Sequence, residues 1–233
     1  REAGAYLRLG LRSANYWTVR SRGGRRTKRG YLFVPGVGAV GAHFGPLRGA
    51  LDDGLRQPEA PWFGAFEYST LRTLPRTADE LSDIIKKSSR YCDELVVVGH
   101  SLGGFLTRMV LQSEKPPANV EGWVAICAPL HGTWRAKWSP NPSLRQLRPD
   151  GSLVAKLRRH ADRLTRFENR ILTISAEHDV MLEPAESARL EGVRHEHRPL
   201  LGHIAILLDR PTHRLIRYFS ESLPPVDRTT EWL

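Results

Sequence analysis

Ten residues, Leu95-Val96-Val97-Val98-Gly99-His100-Ser101-Leu102-Gly103-Gly104, constrain this chain more than any other stretch. Four consecutive apolar, mostly β-branched residues read as a strand buried on both faces. Gly-x-Ser-x-Gly follows at once, and Phe105 to Leu111 then reads as a helix. Strand, sharp turn, serine and helix form the context in which this motif marks a nucleophile. Gly99 and Gly103 have a steric task there. The turn that pushes the serine hydroxyl outward brings the strand and helix backbones too close for side chains at those positions. A helix beginning at Leu102 aims free N–H groups, and the positive end of its dipole, at any oxyanion formed beside Ser101. The five-residue pattern alone recurs by chance; the flanking strand and helix give it weight.

The rest of the chain alternates in the same way. Gly30 to Val34 reads as a buried strand ending in the bend Pro35-Gly36-Val37-Gly38, and Phe44 to Leu55 places apolar residues on one helix face. Trp62 to Tyr68 is a weak strand candidate. Thr77-Ala78-Asp79-Glu80 has the form of a capping box, opening a helix that buries Leu81, Ile84 and Ile85. Beyond Pro116-Pro117, Val120 to Cys127 is the next strand. From Trp134 to Asp150 there is little periodicity, and Pro140, Pro142 and Pro149 forbid a continuous helix. Loops of that length usually serve a site. Ser152 to Phe167 reads as a basic helix, Arg170 to Ala176 as a strand and Pro184 to Leu190 as a short helix. Arg194 to Leu200 is a last strand, and Asp209 with Pro211 opens a final helix to Leu223.

This alternation predicts an α/β protein: a mainly parallel central sheet with helices on both faces, in a single domain over residues 30–233. A chain of 233 residues is long enough to bury a substantial core. No apolar run approaches the roughly 20 residues that span a bilayer. Cys92 before one strand and Cys127 at the end of the next fall at opposite sheet edges, too far apart to bridge.

The formal net charge of +10 is uneven. The first 30 residues hold nine basic residues against Glu2 alone, a net of +8 that leaves +2 for the remainder. Residues 1–29 therefore read as a basic arm, interleaved with Tyr6, Leu7, Leu9, Leu11, Tyr16 and Trp17. The plainer reading is a solvated edge strand over Tyr16 to Arg20 and a basic hairpin loop through Gly23-Gly24. The other is contact with an anionic membrane surface. Nucleic-acid binding is not expected, because no basic face with regularly placed aromatics recurs downstream. The compartment stays open: a cytoplasmic or membrane-associated location is favoured, and a leader removed before Arg1 would allow secretion.

The polar groups of interest all fall at carboxyl ends of strands: Val37, Ser101, Asp179 and His203. In an open α/β sheet those ends share one crevice. The order Ser, Asp, His is the one expected around a nucleophile elbow. A serine hydroxyl needs a base in reach, a histidine serves near neutral pH, and a carboxylate fixes its tautomer. His203 ends a strand on Gly202 and precedes an apolar run that pins it. His131 reads as bracing its loop, His100 as structural within the elbow, and His195 and His197 as alternating along a strand. Asp179 directly follows an apolar strand; Glu177 is early, Glu183 late, and Asp209 follows the histidine. Val40, Phe44, Leu130, Trp134, Met181 and Ile204, with Val37, are candidates for an apolar substrate pocket or, equally, for ordinary core. No His/Asp/Glu cluster has metal-ligand spacing, and no metal or cofactor is expected.

Through Val98-Gly99-His100-Ser101-Leu102-Gly103-Gly104, Ala128-Pro129-Leu130-His131-Gly132-Thr133, Leu144-Arg145-Gln146-Leu147-Arg148-Pro149, Ser175-Ala176-Glu177-His178-Asp179 and Gly202-His203-Ile204-Ala205-Ile206-Leu207-Leu208, the chain resembles the α/β-hydrolase superfamily. Within it, the likeness is to bacterial lipases and esterases, over roughly Gly30 to Leu223. The resemblance implies Ser101 as nucleophile, Asp179 as triad acid and His203 as base, with the N–H groups of Val37 and Leu102 as oxyanion donors. Many relatives carry His-Gly at the oxyanion bend, where this chain has Pro35-Gly36. The donor is the next N–H, so Val37 keeps the role while the bend loses a fixing side chain. Several secreted lipases it resembles hold a structural calcium, and no acidic pair here points to one. The implied activity is hydrolysis of short-to-medium acyl esters or lipid esters through an acyl-enzyme. Acyl transfer, thioester or amide hydrolysis on the same triad, and a non-catalytic hydrolase-fold binding protein, are the alternatives.

Overall fold

The computed structural model describes residues 26–52 and 60–224. The strand over residues 16–20 and the glycine hairpin expected in the basic arm lie outside the described residues, as does Leu55. The elements are β1 (Thr27–Val34), α1 (Gly45–Asp52), β2 (Trp62–Ala65), α2 (Leu74–Ser88), β3 (Cys92–His100), α3 (Leu102–Leu111), β4 (Val120–Ile126), α4 (Ser152–Arg159), β5 (Ile171–His178), β6 (Arg194–Gly202) and α5 (Arg210–Glu221).

The six strands form one sheet in the order β2-β1-β3-β4-β5-β6, with every neighbouring pair parallel. The continuous apolar run of β3 follows from this: Leu95, Val96, Val97 and Val98 are all fully buried because the sheet is covered on both sides. Leu95 and Val97 pack with α2, α3 and α4, while Val96 and Val98 pack with α1 and α5. From β1 the chain steps outward to β2 and then returns to the other side as β3. The carboxyl ends of β1 and β3 therefore flank the point where the winding reverses, the crevice in which open α/β sheets place their ligands.

Several local expectations give way to longer-range forces. The box Thr77-Ala78-Asp79-Glu80 does not open α2. The helix starts at Leu74 with Thr73 as its N-cap and a proline in its first turn, where the fixed φ of Pro75 suits it and its missing N–H costs nothing. Thr77 lies inside, its Oγ1 donating to the Thr73 carbonyl across 3.1 Å. The basic helix expected over Ser152 to Phe167 ends at Arg159 and continues as a 3-10 segment from Ala161 to Phe167. Gln112, at the end of α3, donates from Nε2 to the carbonyls of Leu157 and His160 at 3.1 and 2.7 Å, taking acceptors that a continuing helix would need. Pro184 to Leu190 holds only a 3-10 turn, Ala185–Ala188. Within Trp62 to Tyr68 the strand itself ends at Ala65, with one further bond from Phe66 N–H to the Phe33 carbonyl. Conversely, β1 begins at Thr27 rather than Gly30, and β6 runs on to Gly202.

The Trp134–Asp150 crossover carries two 3-10 turns and no α-helix. Cys92 and Cys127 are both buried and are not joined in a disulfide. No helix among the described residues is long and apolar enough to cross a membrane.

Candidate active site

Ser101 sits between β3 and α3 with φ 52° and ψ −124°, a conformation that costs a non-glycine residue of order 1–3 kcal/mol and persists only where surroundings enforce it. The enforcement is visible. Its N–H donates to the Ile126 carbonyl across 2.9 Å, and its own carbonyl accepts from Gly104 N at 3.0 Å. A Cβ at Gly99 would lie 2.6 Å from the Gly104 backbone, the strand–helix approach anticipated above. A Cβ at Gly103 would lie 2.0 Å from the Val34 carbonyl oxygen, so that glycine is required by the end of β1, not by the elbow's own strand.

The bend after β1 lies directly against the serine. A Cβ on Gly36 would come within 2.9 Å of Ser101 Cβ. Neither Val37 N–H nor Leu102 N–H has an acceptor among the described residues; the first turn of a helix leaves such donors free. Proline at position 35 offers no side-chain hydrogen bond, and three residues absent from the sequence-based candidates hold the bend instead. Tyr68 Oη donates to the Pro35 carbonyl at 2.7 Å, Gly41 N–H donates to Glu67 Oε1 at 2.6 Å, and Val40 N–H donates to His43 Nδ1 at 2.9 Å. Burial, reinforced by the nearby Glu67 charge, pushes the Tyr68 phenol well above its usual pKa, so it stays a donor. The signal in the sequence was slight: a Glu-Tyr pair in a weak strand candidate.

His203 and Asp179 come from the ends of β6 and β5. His203 Nδ1 and Asp179 Oδ2 are 2.8 Å apart, with only 5% and 2% of their side chains exposed. Asp179 Oδ1 accepts from the N–H groups of Met181 (2.8 Å) and Leu182 (3.2 Å). Burial alone raises the Asp179 pKa, but the His203 hydrogen bond and charge, the Met181 N–H and the Cys127 thiol together hold it below the ordinary value. An ionised carboxylate only accepts, so His203 donates from Nδ1, which leaves Nε2 as the nitrogen that can take up a proton. Ser101 makes no hydrogen bond to His203 among the described residues. The two are joined through His100, which is fully buried: its Nε2 lies 2.8 Å from the His203 carbonyl, and the two rings are 4.7 Å apart. Burial, then the neighbouring His203 charge, drives the His100 pKa down to about 3, so it donates as a neutral ring.

The other candidates are engaged elsewhere. Glu177 accepts from Leu200 N–H at 2.7 Å, Glu183 pairs with Arg135 at 2.9 Å, and Asp209 caps α5 through Thr212 N–H while pairing with Arg198. His131 donates its backbone N–H to Ser187. His195 and His197 bond the hydroxyls of Thr173 and Ser175 on the outer strands. Among the proposed pocket residues, Phe44 stacks on Phe33 in one core layer and Leu130 is buried in the other. Ile204 is nearly buried, Val40 half-buried, and Trp134 and Met181 stand exposed at the rim. Ligand-type atoms of Cys127, Asp179 and His203 lie within 4.8 Å of one another. No spacing rule could have found that trio, and His203 Nδ1 is already bonded to Asp179 within it.

A reversing parallel sheet, a strained serine between β3 and α3, and a buried histidine–carboxylate pair at the same edge define the α/β-hydrolase class of proteins. The sequence model described as the alpha/beta hydrolase family matches residues 31–230, and the chain belongs to that family. No curated protein matches the sequence. Among solved structures, Aspergillus fumigatus lipase B is similar with a TM-score of 0.70 and 20% identity, covering 89% of this chain and 56% of that one. A Bacillus licheniformis lipase in mature form gives 0.63 and 14%, covering 86% and 96%. A Listeria innocua gene product gives 0.61 and 14%, covering 85% and 96%. At these identities the likeness is one of fold.

Proposed function

We propose that this chain is a serine hydrolase of carboxylic esters, with short-to-medium acyl esters or lipid esters as substrates. The observation that carries the reading is the buried His203–Asp179 hydrogen bond at the edge where a serine is held at positive φ. Lipases among the structurally similar proteins support the same substrate class.

In this reading Ser101 Oγ attacks the ester carbonyl carbon while its proton passes to His203 Nε2. Asp179 stabilises the imidazolium that results. The carbonyl oxygen becomes an oxyanion facing the N–H groups of Val37 and Leu102, each such donor being worth about 100- to 1000-fold in rate. Collapse breaks the bond to the alcohol oxygen, which takes the proton from His203 and leaves an acyl-enzyme. Water then attacks the acyl carbon, giving its proton to His203, and the acid departs as Ser101 recovers its proton. Substrate approach closes the serine–histidine distance, since catalytic hydrogen bonds are often long in the free enzyme. Val40, Trp134, Met181 and Ile204 wall the acyl group. With β1 starting at Thr27, the boundary expected at residue 30 moves back: residues 27–233 form the catalytic domain in this proposal, and the basic residues before it an arm suited to an anionic surface.

Hydrolysis of a p-nitrophenyl ester series from acetate to palmitate, by wild type and Ser101→Ala, tests it. Ser101→Ala is expected to lower kcat by about a millionfold, and the best chain length separates an esterase from a lipase. Equal trace rates from two folded proteins would sink ester hydrolysis and move the search to thioesters, amides and acyl transfer.

A further inference from the structure

Exposed large apolar side chains are gathered on one face of this molecule. Seven of the eight among the described residues lie at carboxyl ends of strands or on the loops that follow. Val37 follows β1 and Leu71 follows β2; Trp134 and Trp138 follow β4; Val180 and Met181 follow β5; and Leu200 ends β6. Leu71 and Trp138 project furthest, at 85% and 81% exposed.

The loops are knit together, so these side chains share a frame. Asn141 Nδ2 donates to the Thr70 carbonyl at 2.7 Å, tying the Leu71 loop to the Trp138 loop. Trp134 N–H donates to the Glu183 carbonyl at 2.8 Å, and Thr133 Oγ1 donates to the Met181 carbonyl at 3.1 Å, joining the loops after β4 and β5.

Cations cluster in the segment that follows Trp138. A cavity of about 700 Å³ next to the Asn141 junction is lined by Arg145, Arg148, Lys156 and Arg159, with no acidic residue in its wall. Arg148 pairs with Asp150 at 3.3 Å, whereas Arg145, Lys156 and Arg159 make no ion pair among the described residues. Lys137 Nζ sits 5.6 Å from the centre of the Trp138 ring, a cation over an indole.

We propose that this rim docks on an anionic lipid bilayer, with Leu71 and Trp138 entering the headgroup–acyl boundary and the cations of the Arg145–Arg159 cavity meeting lipid phosphates. Singly projecting Leu and Trp side chains flanked by cations suit an interface that is apolar below and negative above. A protein partner is usually met by anchors packed in a central, desolvated cluster, whereas these two project from separate loops, 85% and 81% exposed. None of its residues belongs to the basic arm, and docking through it would present Ser101 toward the bilayer. That orientation deepens the ester-hydrolase reading toward membrane lipids, while the docking itself needs no catalysis.

Binding is therefore measured on full-length Ser101→Ala protein, by co-sedimentation with vesicles of phosphatidylcholine with or without phosphatidylglycerol. Tighter binding to the phosphatidylglycerol vesicles is expected. Leu71→Ala with Trp138→Ala should weaken it about tenfold or more, since burying each side chain is worth roughly 1.5–3 kcal/mol at most. Arg145→Glu with Lys156→Glu should weaken binding to the anionic vesicles by about tenfold or more, each basic residue contributing about 1 kcal/mol there, with little change on neutral ones. Circular dichroism checks that all variants are folded. Binding left unchanged by both pairs would assign the membrane contact to another surface, and absent or charge-independent binding would equally overturn the proposal. Either result leaves hydrolysis of soluble esters untouched.

Discussion

Tyr68 Oη donates a 2.7 Å hydrogen bond to the Pro35 carbonyl, so the loop after β2 fixes the bend that lies against Ser101. The geometry of the candidate oxyanion site thus depends on a residue 33 positions further along the chain. Tyr68→Phe removes one hydroxyl and leaves a buried carbonyl unpaired. We expect a stability loss of about 1–3 kcal/mol and a fall in kcat of about ten- to a hundredfold from the displaced Val37 N–H. Ester kinetics with urea unfolding on the same protein would check both, and an unaltered kcat would remove Val37 from the oxyanion role.

Asp179→Asn keeps the shape of the site but removes the charge and puts an amide that can also donate where a pure acceptor set the His203 tautomer. A drop in kcat of about 10,000-fold is expected, read by the same ester assay. Because the folded carboxyl titrates below its ordinary value, the stability it contributes is present above about pH 3.8. It is lost as pH falls below that value, through the lower folded pKa. The asparagine variant should lack this share of acid sensitivity in unfolding curves taken below pH 4.

His100 provides a second pH test of opposite origin. Its folded pKa near 3 lies under the ordinary histidine value of 6.5, so between those limits the unfolded chain binds a proton that the folded one does not. Stability associated with this ring is present above pH 6.5 and declines as pH falls toward 3. His100→Asn, whose amide can still donate to the His203 carbonyl, should flatten that decline while retaining more activity than His100→Ala. Thermal melting across pH 4–7 and ester kinetics would distinguish them; equal activities would show that the His203 carbonyl needs no donor.

At the opposite end of the sheet, Glu121 is buried beside Glu94, Arg29 and Arg170. Burial, then the Glu94 charge, raises its pKa to about 7, with Arg29 and Arg170 opposing. The folded state therefore holds a proton that the unfolded state loses above about pH 4.5. Stability falls as pH rises from there to about 7. Glu121→Gln should reduce that slope in urea unfolding at pH 5–8 with unchanged ester turnover. An identical slope in the variant would show that Glu121 ionises normally.

The parts of the fold legible in the sequence are those governed by local chemistry. Continuous burial of Leu95 to Val98, the alternation of strands with helices, and the steric demand at Gly99 all follow from residues within a few positions of one another. The same holds for the placement of Asp179 just past the apolar start of β5 and of His203 between Gly202 and the apolar run from Ile204 to Leu208. Errors arise where a distant residue intervenes. Gln112 takes the carbonyls that would have continued α4. Thr77 looks like a cap until Pro75 starts the helix earlier.

By itself, then, the sequence determined the class of the fold, the strained serine turn and the residue types at the crevice, because periodicity and backbone sterics act over a few residues. Only the tertiary structure decided that Gly103 answers to Val34, that Tyr68, Glu67 and His43 hold the bend, and that His100 binds the carbonyl of His203. It also decided that Cys127 comes beside Asp179 and that Asn141 ties the Leu71 loop to the Trp138 loop. Apart from the short-range His43–Val40 bond, these contacts join positions tens of residues apart, and they come into being only when the reversal at β1 and β3 brings the strand ends together.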